Sequence, residues 1–433
     1  MKTFSAINIT SKAGFAAHAR NWRSATAGLA TLVLALAVSI FMGCGGGGGG
    51  SGSVAGVGSG GTGSFTSGSI SGFGSIVVNG VHYDESAASA AGAIQNEDGL
   101  VGNSASLRLG MVVNVTGSAI TNSNTLPSAT ANAVSFSSEL LGPIEGSINL
   151  GSKTFVVLGQ TVAVTGSSFF DDTLAGGLVA LKARDVVEVY GFYDPASNTV
   201  SATRIERSGA ADFRLSGTVG NLNTTNQTFS IGLRTVTYAN ITPALQVPAL
   251  ANGQLVRVKA KNTLTKAGLL DATRIRVHGL GGLGSPGVGD RDEASVEGTV
   301  NAFTSATAFS VNGVAVDARN ALVSGGAAVA LGVRVEVQGS TSGNVLVARK
   351  VSVKTNSDID LDEFQITGTV GSLNTSAKTM AVRGVMVSYA GTVRFDNGVE
   401  ADLGLIPAPV VEVKGIRSAG GTAVQAQRIK FAK

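Results

Sequence analysis

A unit of about 70 residues recurs along this chain, and no other feature restricts its fold as strongly. The copies read "ISGFGSIVVNGVHYD" from Ile70, "IEGSINLGSKTFVVLGQTVAV" from Ile144 and "LSGTVGNLNTTNQTFSIGLRTVTY" from Leu215. They continue with "VEGTVNAFTSATAFSVNGVAVDA" from Val296 and "ITGTVGSLNTSAKTMAVRGVMVSY" from Ile366. Each opens on an apolar–x–Gly strand, with the glycines taken as Gly72, Gly146, Gly217, Gly298 and Gly368. Each then closes on a second recurring element: "LGMVVNVTG", "ARDVVEVYG", "NGQLVRVKA", "LGVRVEVQG" and "APVVEVKG". A last strand follows: "ATANAVSF", "SATRIER", "DATRIRV", "VARKVSV" and "QAQRIKF".

Alternation in "VVEVYG" and "VRVEVQG" has period 2, which puts one face inside and one outside. Asn79-Gly80 and Asn312-Gly313 lie between alternating apolar residues and predict type I′ hairpin turns. Gly232-Leu233 suits type II′. "ESAASAAGAI" suits one short helical turn, and no sustained helical period follows the leader. About six short strands per unit close most simply into a small barrel, which removes exposed edges. The expected fold is all-β: five tandem small OB-like barrels, strung as beads rather than fused as a solenoid. The boundaries fall at 69–138, 139–208, 209–280, 290–357 and 358–433, with a Gly-rich linker at 281–289.

The repeat "xGtVxxl…tfxVxGxxVxy…lxxGxxVeVxG…vxAtrIxx" resembles the bacterial domain-of-unknown-function family 5666, found in tandem on lipoproteins. The resemblance spans residues 69–433. It implies OB-like barrels and an envelope location, and carries no activity or catalytic residues. The first unit departs most, since "ATANAVSF" lacks the Arg-Ile pair, and the third has Ala260 for the closing glycine.

The N-terminal end has its own pattern. Lys2, Lys12, Arg20 and Arg23 precede the apolar run "LATLVLALAVSIFM", and no acid interrupts them. A basic region, an apolar region and small residues make a secretory signal over residues 1–43. Gly43-Cys44 resembles a bacterial lipobox, with Phe41 and Met42 where Leu and a small residue are usual. Cys44, the single cysteine, is then the lipidation site and the membrane anchor. The alternative is an uncleaved membrane anchor with an incidental cysteine. Residues 44–68 are uncharged and Gly-rich, the composition of a flexible tether. Gly45, in place of Asp, resembles an outer-membrane sorting signal; inner-membrane anchoring facing the periplasm is the other placement.

The formal charge of +4 does not mark a nucleic-acid binder. Removing the leader leaves 28 bases against 28 acids. That neutral sum hides a contrast. Residues 209–280 hold eight bases and two acids, whereas 69–138 and 139–208 are each acidic by three charges. In "LVRVKAKN", Arg257, Lys259 and Lys261 alternate with Val256, Val258 and Ala260, so one strand face is basic. Arg274 and Arg276 belong to the next strand. Such a face fits an envelope glycan or lipopolysaccharide, or else pairs with the acidic neighbours.

Other candidates are thinner. His82 and Asp84 share a strand face, but no nucleophile accompanies them, and a solvated hairpin accounts for both; the same applies to His278. Asp358, Asp360 and Asp362 resemble the start of a calcium loop, but Glu363 and Thr369 stand where Gly and Glu are required. "GDRDEA" at 289–294 repeats an acidic junction. "GLGGLGSPG" lacks the helix a phosphate loop needs. Arg204, Arg274, Lys350 and Arg428 recur on last strands and are expected to face Glu188, Glu336 and Glu412 on the neighbouring strand. No catalytic set, metal set or cofactor is expected. The functional expectation is a non-enzymatic envelope lipoprotein that scaffolds or binds, or alternatively binds glycans or polyanions through an OB-like groove or the basic face.

Overall fold

In the third unit the chain closes on itself. The structure is a computed structural model, and it describes residues 63–122, 127–209, 212–243, 247–265, 268–279, 287–354, 364–417 and 424–432. Cys44, Lys266, Asp358, Asp360 and Asp362 lie outside the described residues. The opening strand Asp212–Asn223 pairs antiparallel with Thr228–Ile231, which pairs antiparallel with Arg234–Thr237. That strand runs parallel to the last strand, Leu270–Val277. The last strand pairs antiparallel with Leu255–Leu264, which returns antiparallel to the opening strand. The order 1-2-3-5-4-1 is that of an OB-like barrel.

The same circuit closes in the second unit through Leu140–Asn149, Thr154–Val157, Gln160–Phe170, Thr199–Arg207 and Val186–Asp194. It also closes in the segments opened by Ser64–Phe73, by Arg291–Ser305 and by Phe364–Asn374. The fold is therefore all-β, with a single α-helical turn, Ser86–Ala90, among the described residues. Alternation has the expected result. Val256, Val258 and Ala260 turn into the core, as do Ile205, Ile275, Val351 and Ile429 on the last strands.

A hairpin turn folds down onto each opening strand. Asn79, Leu158, Gly232, Asn312 and Arg383 all stand at the first turn position with φ between 48° and 53°. Gly80, Gly159, Gly313 and Gly384 follow with φ between 75° and 80°, as type I′ turns require. The turn residue or its neighbour presses on one glycine of the opening strand: Asn79 on Gly68, Leu158 on Gly142, Ile231 on Gly217, Asn312 on Gly298 and Arg383 on Gly368. A Cβ at any of these would collide with it. Strand register agrees, since Gly68, Gly142, Gly217, Gly298 and Gly368 all face the first Val-x-Val residues of the fourth strand. The first two opening glycines are thus Gly68 and Gly142, four residues before Gly72 and Gly146.

The barrels are not strung beads. In each, the first half of the opening strand pairs with the fourth strand and the second half with the hairpin. The other edge of that first half is left free by the barrel itself, and here other units occupy it. Ser64–Ser67 runs parallel to Glu293–Val296, joining the first and fourth units. Gly72 and Phe73 run parallel to Gln365 and Ile366 of the fifth. Leu140 and Leu141 run antiparallel to Leu215 and Arg214, joining the second and third. These joints satisfy edges that would otherwise be exposed. They also shorten the expected tether: Ser64–Gly68 belong to the first barrel, with Phe65 buried.

Candidate functional site

The predicted basic strand ends up inside a junction. Arg257 is 4% exposed. Its guanidinium pairs with Glu139 at 2.6 Å and with Glu97 at 3.3 Å, and its Nε donates to Ser216 Oγ at 2.7 Å. Arg214 pairs with the same Glu97 and with Glu188, the latter at 2.9 Å. Lys259 lies 3.1 Å from both Asp98 and Asp212, and Arg274 pairs with Asp98. Lys261 pairs with Asp271 at 2.6 Å. Arg276 is half-buried and has no carboxylate within ion-pair distance among the described residues; burial and the neighbouring Arg274 hold its guanidinium below its ordinary pKa.

The alternation put these side chains on the correct face of the strand. At Arg257 and Lys259 that face meets the acidic turn Glu97–Asp98 of the first unit and Glu139 of the second, while Lys261 stays exposed beside Asp271 of its own unit. Burial pushes the Asp98 carboxyl up, but Arg274 and Lys259 together outweigh it and hold the carboxyl below its usual range. Neither Glu97 nor Glu139 belongs to the repeat motif; the opposed charges of the units were the one signal for them. A buried pair of this kind adds little net stability, but removing one partner leaves the other charged and unsolvated.

A cavity of about 40 Å³ adjoins this cluster, where four units meet around Ser67, Glu139, Arg257, His278 and Asn312. Glu139 Oε2 and His278 Nε2 are buried there without a hydrogen-bond partner among the described residues. His278 is not on a solvated strand end. Burial first, and Arg257 second, hold its imidazole well below the usual histidine range.

The remaining candidates are structural. His82 Nδ1 lies 3.3 Å from Ser75 Oγ, while Asp84 accepts from the Ser86 backbone N–H, so no imidazole–carboxylate pair forms. Burial, then Lys414, lowers the His82 pKa. Asp290 accepts from the Gly343 N–H and Glu293 from the Ile120 N–H, which makes the acidic run before the fourth barrel a joint. The recurring last-strand cations find other partners than expected. Arg204 pairs with Glu206 and donates to the Leu109 carbonyl at 3.2 Å, and Arg428 pairs with Asp396. Glu188 and Glu336 are taken by Arg214 and by Lys354. Among the described residues no three His, Cys, Asp or Glu side chains cluster as a metal site.

A groove of about 790 Å³ opens between the first, second and fifth units. The first unit contributes the loop at 104–109, the second Phe169–Thr173, and the fifth the turn Arg383-Gly384 with Val385 and Met386. Its volume lies in the range of small-molecule sites. Arg383 sits 5.8 Å over the Phe73 ring and reaches Glu85 only at 3.9 Å. Arg108 is exposed and donates to the Leu107 carbonyl at 2.9 Å.

These tandem OB-like barrels define a class of repeat protein. Residues 142–206, 297–352 and 367–430 match the family described as Domain of unknown function (DUF5666), so the chain carries that domain in tandem. The matches fall in the second, fourth and fifth units; the first and third, whose motifs depart most, close the same circuit of strands. No curated protein matches the chain.

Proposed function

We propose that this chain is a non-enzymatic lipoprotein of the cell envelope, anchored through a lipid on Cys44, whose β-units act as one rigid body that presents binding surfaces. The observation that carries this reading is the leader: four bases, an apolar run and Gly43-Cys44, followed by an uncharged Gly-rich run. Gly45 points to the outer membrane rather than the inner. The joined opening strands and the buried ion pairs support a rigid body over independently mobile modules. A glycan or polyanion reading on the third unit meets an obstacle, since a polyanion would have to displace Glu97 and Glu139 to reach Arg257.

Metabolic labelling with an alkyne palmitate, followed by detergent partitioning, tests the anchor. The wild-type chain is expected to take up label and enter the detergent phase. Cys44→Ser is expected to lose the label and leave that phase or stay unprocessed. A Cys44→Ser chain that is cut and anchored like the wild type would refute the lipoprotein.

A further inference from the structure

The groove between the first, second and fifth units is lined by six charged side chains, and they differ in what they already hold. Asp171 accepts from the Thr173 N–H at 2.7 Å and from the Arg207 N–H at 2.7 Å. Glu206 and Arg204 hold each other. Three charges remain open. Arg108 donates only to backbone carbonyls, with no carboxylate in ion-pair reach among the described residues. Arg383 has a single distant carboxylate. Asp172 is exposed, with no ion-pair partner among the described residues. The open balance is therefore two guanidiniums to one carboxylate, and guanidiniums match carboxylate geometry closely.

The apolar part of the lining comes from Leu107, Phe169, Phe170, Val385 and Met386. Met386 is 41% exposed, a costly position for a thioether in water and a useful one against a flexible chain. No Trp or Tyr lines the groove, and Arg383 already covers the Phe73 ring. Phe169 and Phe170 are only 6% and 8% exposed, so a sugar lacks an open aromatic face to stack on, whereas an alkyl chain needs only apolar contact. The turn chemistry singles out the same residue. The position held by Asn79, Leu158, Gly232 and Asn312 in the other units is Arg383 in the fifth, fixed at φ 48° above Gly368.

We propose that this groove binds a single-chain anionic amphiphile, with its carboxylate head between Arg108 and Arg383 and its acyl chain along Phe169, Val385 and Met386. The site requires neither the anchor nor the envelope location.

The test is photoaffinity labelling of the full chain in a nonionic detergent, using a twelve-carbon carboxylate with a diazirine near its far end and mapping by mass spectrometry. Saturable label is expected on peptides holding Phe169–Thr173 or Val385–Met386, displaced by laurate. The methyl ester should label these peptides several-fold less. Arg108→Ala with Arg383→Ala should lower saturable labelling about tenfold, on the order of one lost charge-assisted contact. Asp172→Asn, which leaves both arginines in place, should raise it. Arg108→Lys should retain part of the labelling, which separates loss of charge from loss of fold. Equal labelling by the ester, label scattered outside the groove, or no response to Asp172→Asn would overturn the proposal. So would displacement by a neutral oligosaccharide or by phosphatidylglycerol but not by laurate.

Discussion

Two seams between barrels are both rich in arginine, and they treat it in opposite ways. In the seam around Arg257, two buried guanidiniums share Glu97 and draw in Glu139 and Glu188. In the groove around Arg108 and Arg383, the guanidiniums rest on carbonyls and on a ring and stay half-open to water. The residue type is the same; what differs is whether another unit brings a desolvated carboxylate to hydrogen-bonding range, since the buried Glu85 of the first unit stays 3.9 Å from Arg383. Where it does, the arginine is part of the joint and removing it is expensive. Where it does not, the arginine is available to something outside the chain.

The strongest way to break this contrast is to remove one partner from each seam. Arg257→Ala leaves Glu97 and Glu139 buried beside a cavity, and is expected to destabilise the protein by about 3–5 kcal/mol in urea unfolding. A loss below about 1 kcal/mol would mean that water already reaches the seam and that the two regions differ less than described.

A smaller effect probes the same junction by pH. The folded chain holds His278 neutral below its ordinary pKa of 6.5, whereas the unfolded chain takes up a proton there. The unfolded state then binds more protons as pH falls, so stability drops below about pH 6.5, by up to about 1.4 kcal/mol per pH unit. Above pH 7 this contribution is constant. His278→Asn is expected to flatten stability between pH 5 and 6.5; an unchanged slope would place His278 in contact with solvent.

The smallest effect is expected in the open groove. Arg108→Ala should change stability by less than about 0.5 kcal/mol, as exposed substitutions do. A loss near that of Arg257→Ala would make the groove a joint rather than a site.

The barrels themselves were legible because their alternation and hairpin turns repeat. The alignment of the first two units was not. "GSISG" holds Gly68 and Gly72, and "GPIEG" holds Gly142 and Gly146. A shift of four residues keeps every side chain on its original face, so a period-2 pattern does not separate the two choices. The turn residue resting on the glycine, and the register of that glycine with the fourth strand, decide. The joints were illegible for a related reason. Alternation distinguishes inside from outside, but the outer face of a strand reads the same whether water or another barrel lies beyond it. Glu97 sits in a turn peculiar to the first unit, with no counterpart to flag it. The pairing of Arg257 with residues 160 and 118 positions away has no local signature. The match of a fold pattern to residues 69–433 therefore reached the architecture of each bead and missed that the beads are joined.

The parallel joint between Ser64–Ser67 and Glu293–Val296 also sets an order of events. As the chain is made, the first barrel has all of its own strands long before its partner strand exists. During that interval one edge of Ser64–Ser67 is bare, in a state that invites pairing with neighbouring chains. The exposed template reads Ser-Phe-Thr-Ser, with Phe65 turned into the fourth unit's core and hydroxyls at the other positions. A strand of that composition makes a poor steric zipper compared with the Val-rich strands inside the barrels. The seam that joins the first and fourth units is thus written in residues suited to waiting, and Thr66→Val would both make the waiting edge more adhesive and remove the bond of 2.6 Å between the Thr66 hydroxyl and the buried Tyr83 hydroxyl.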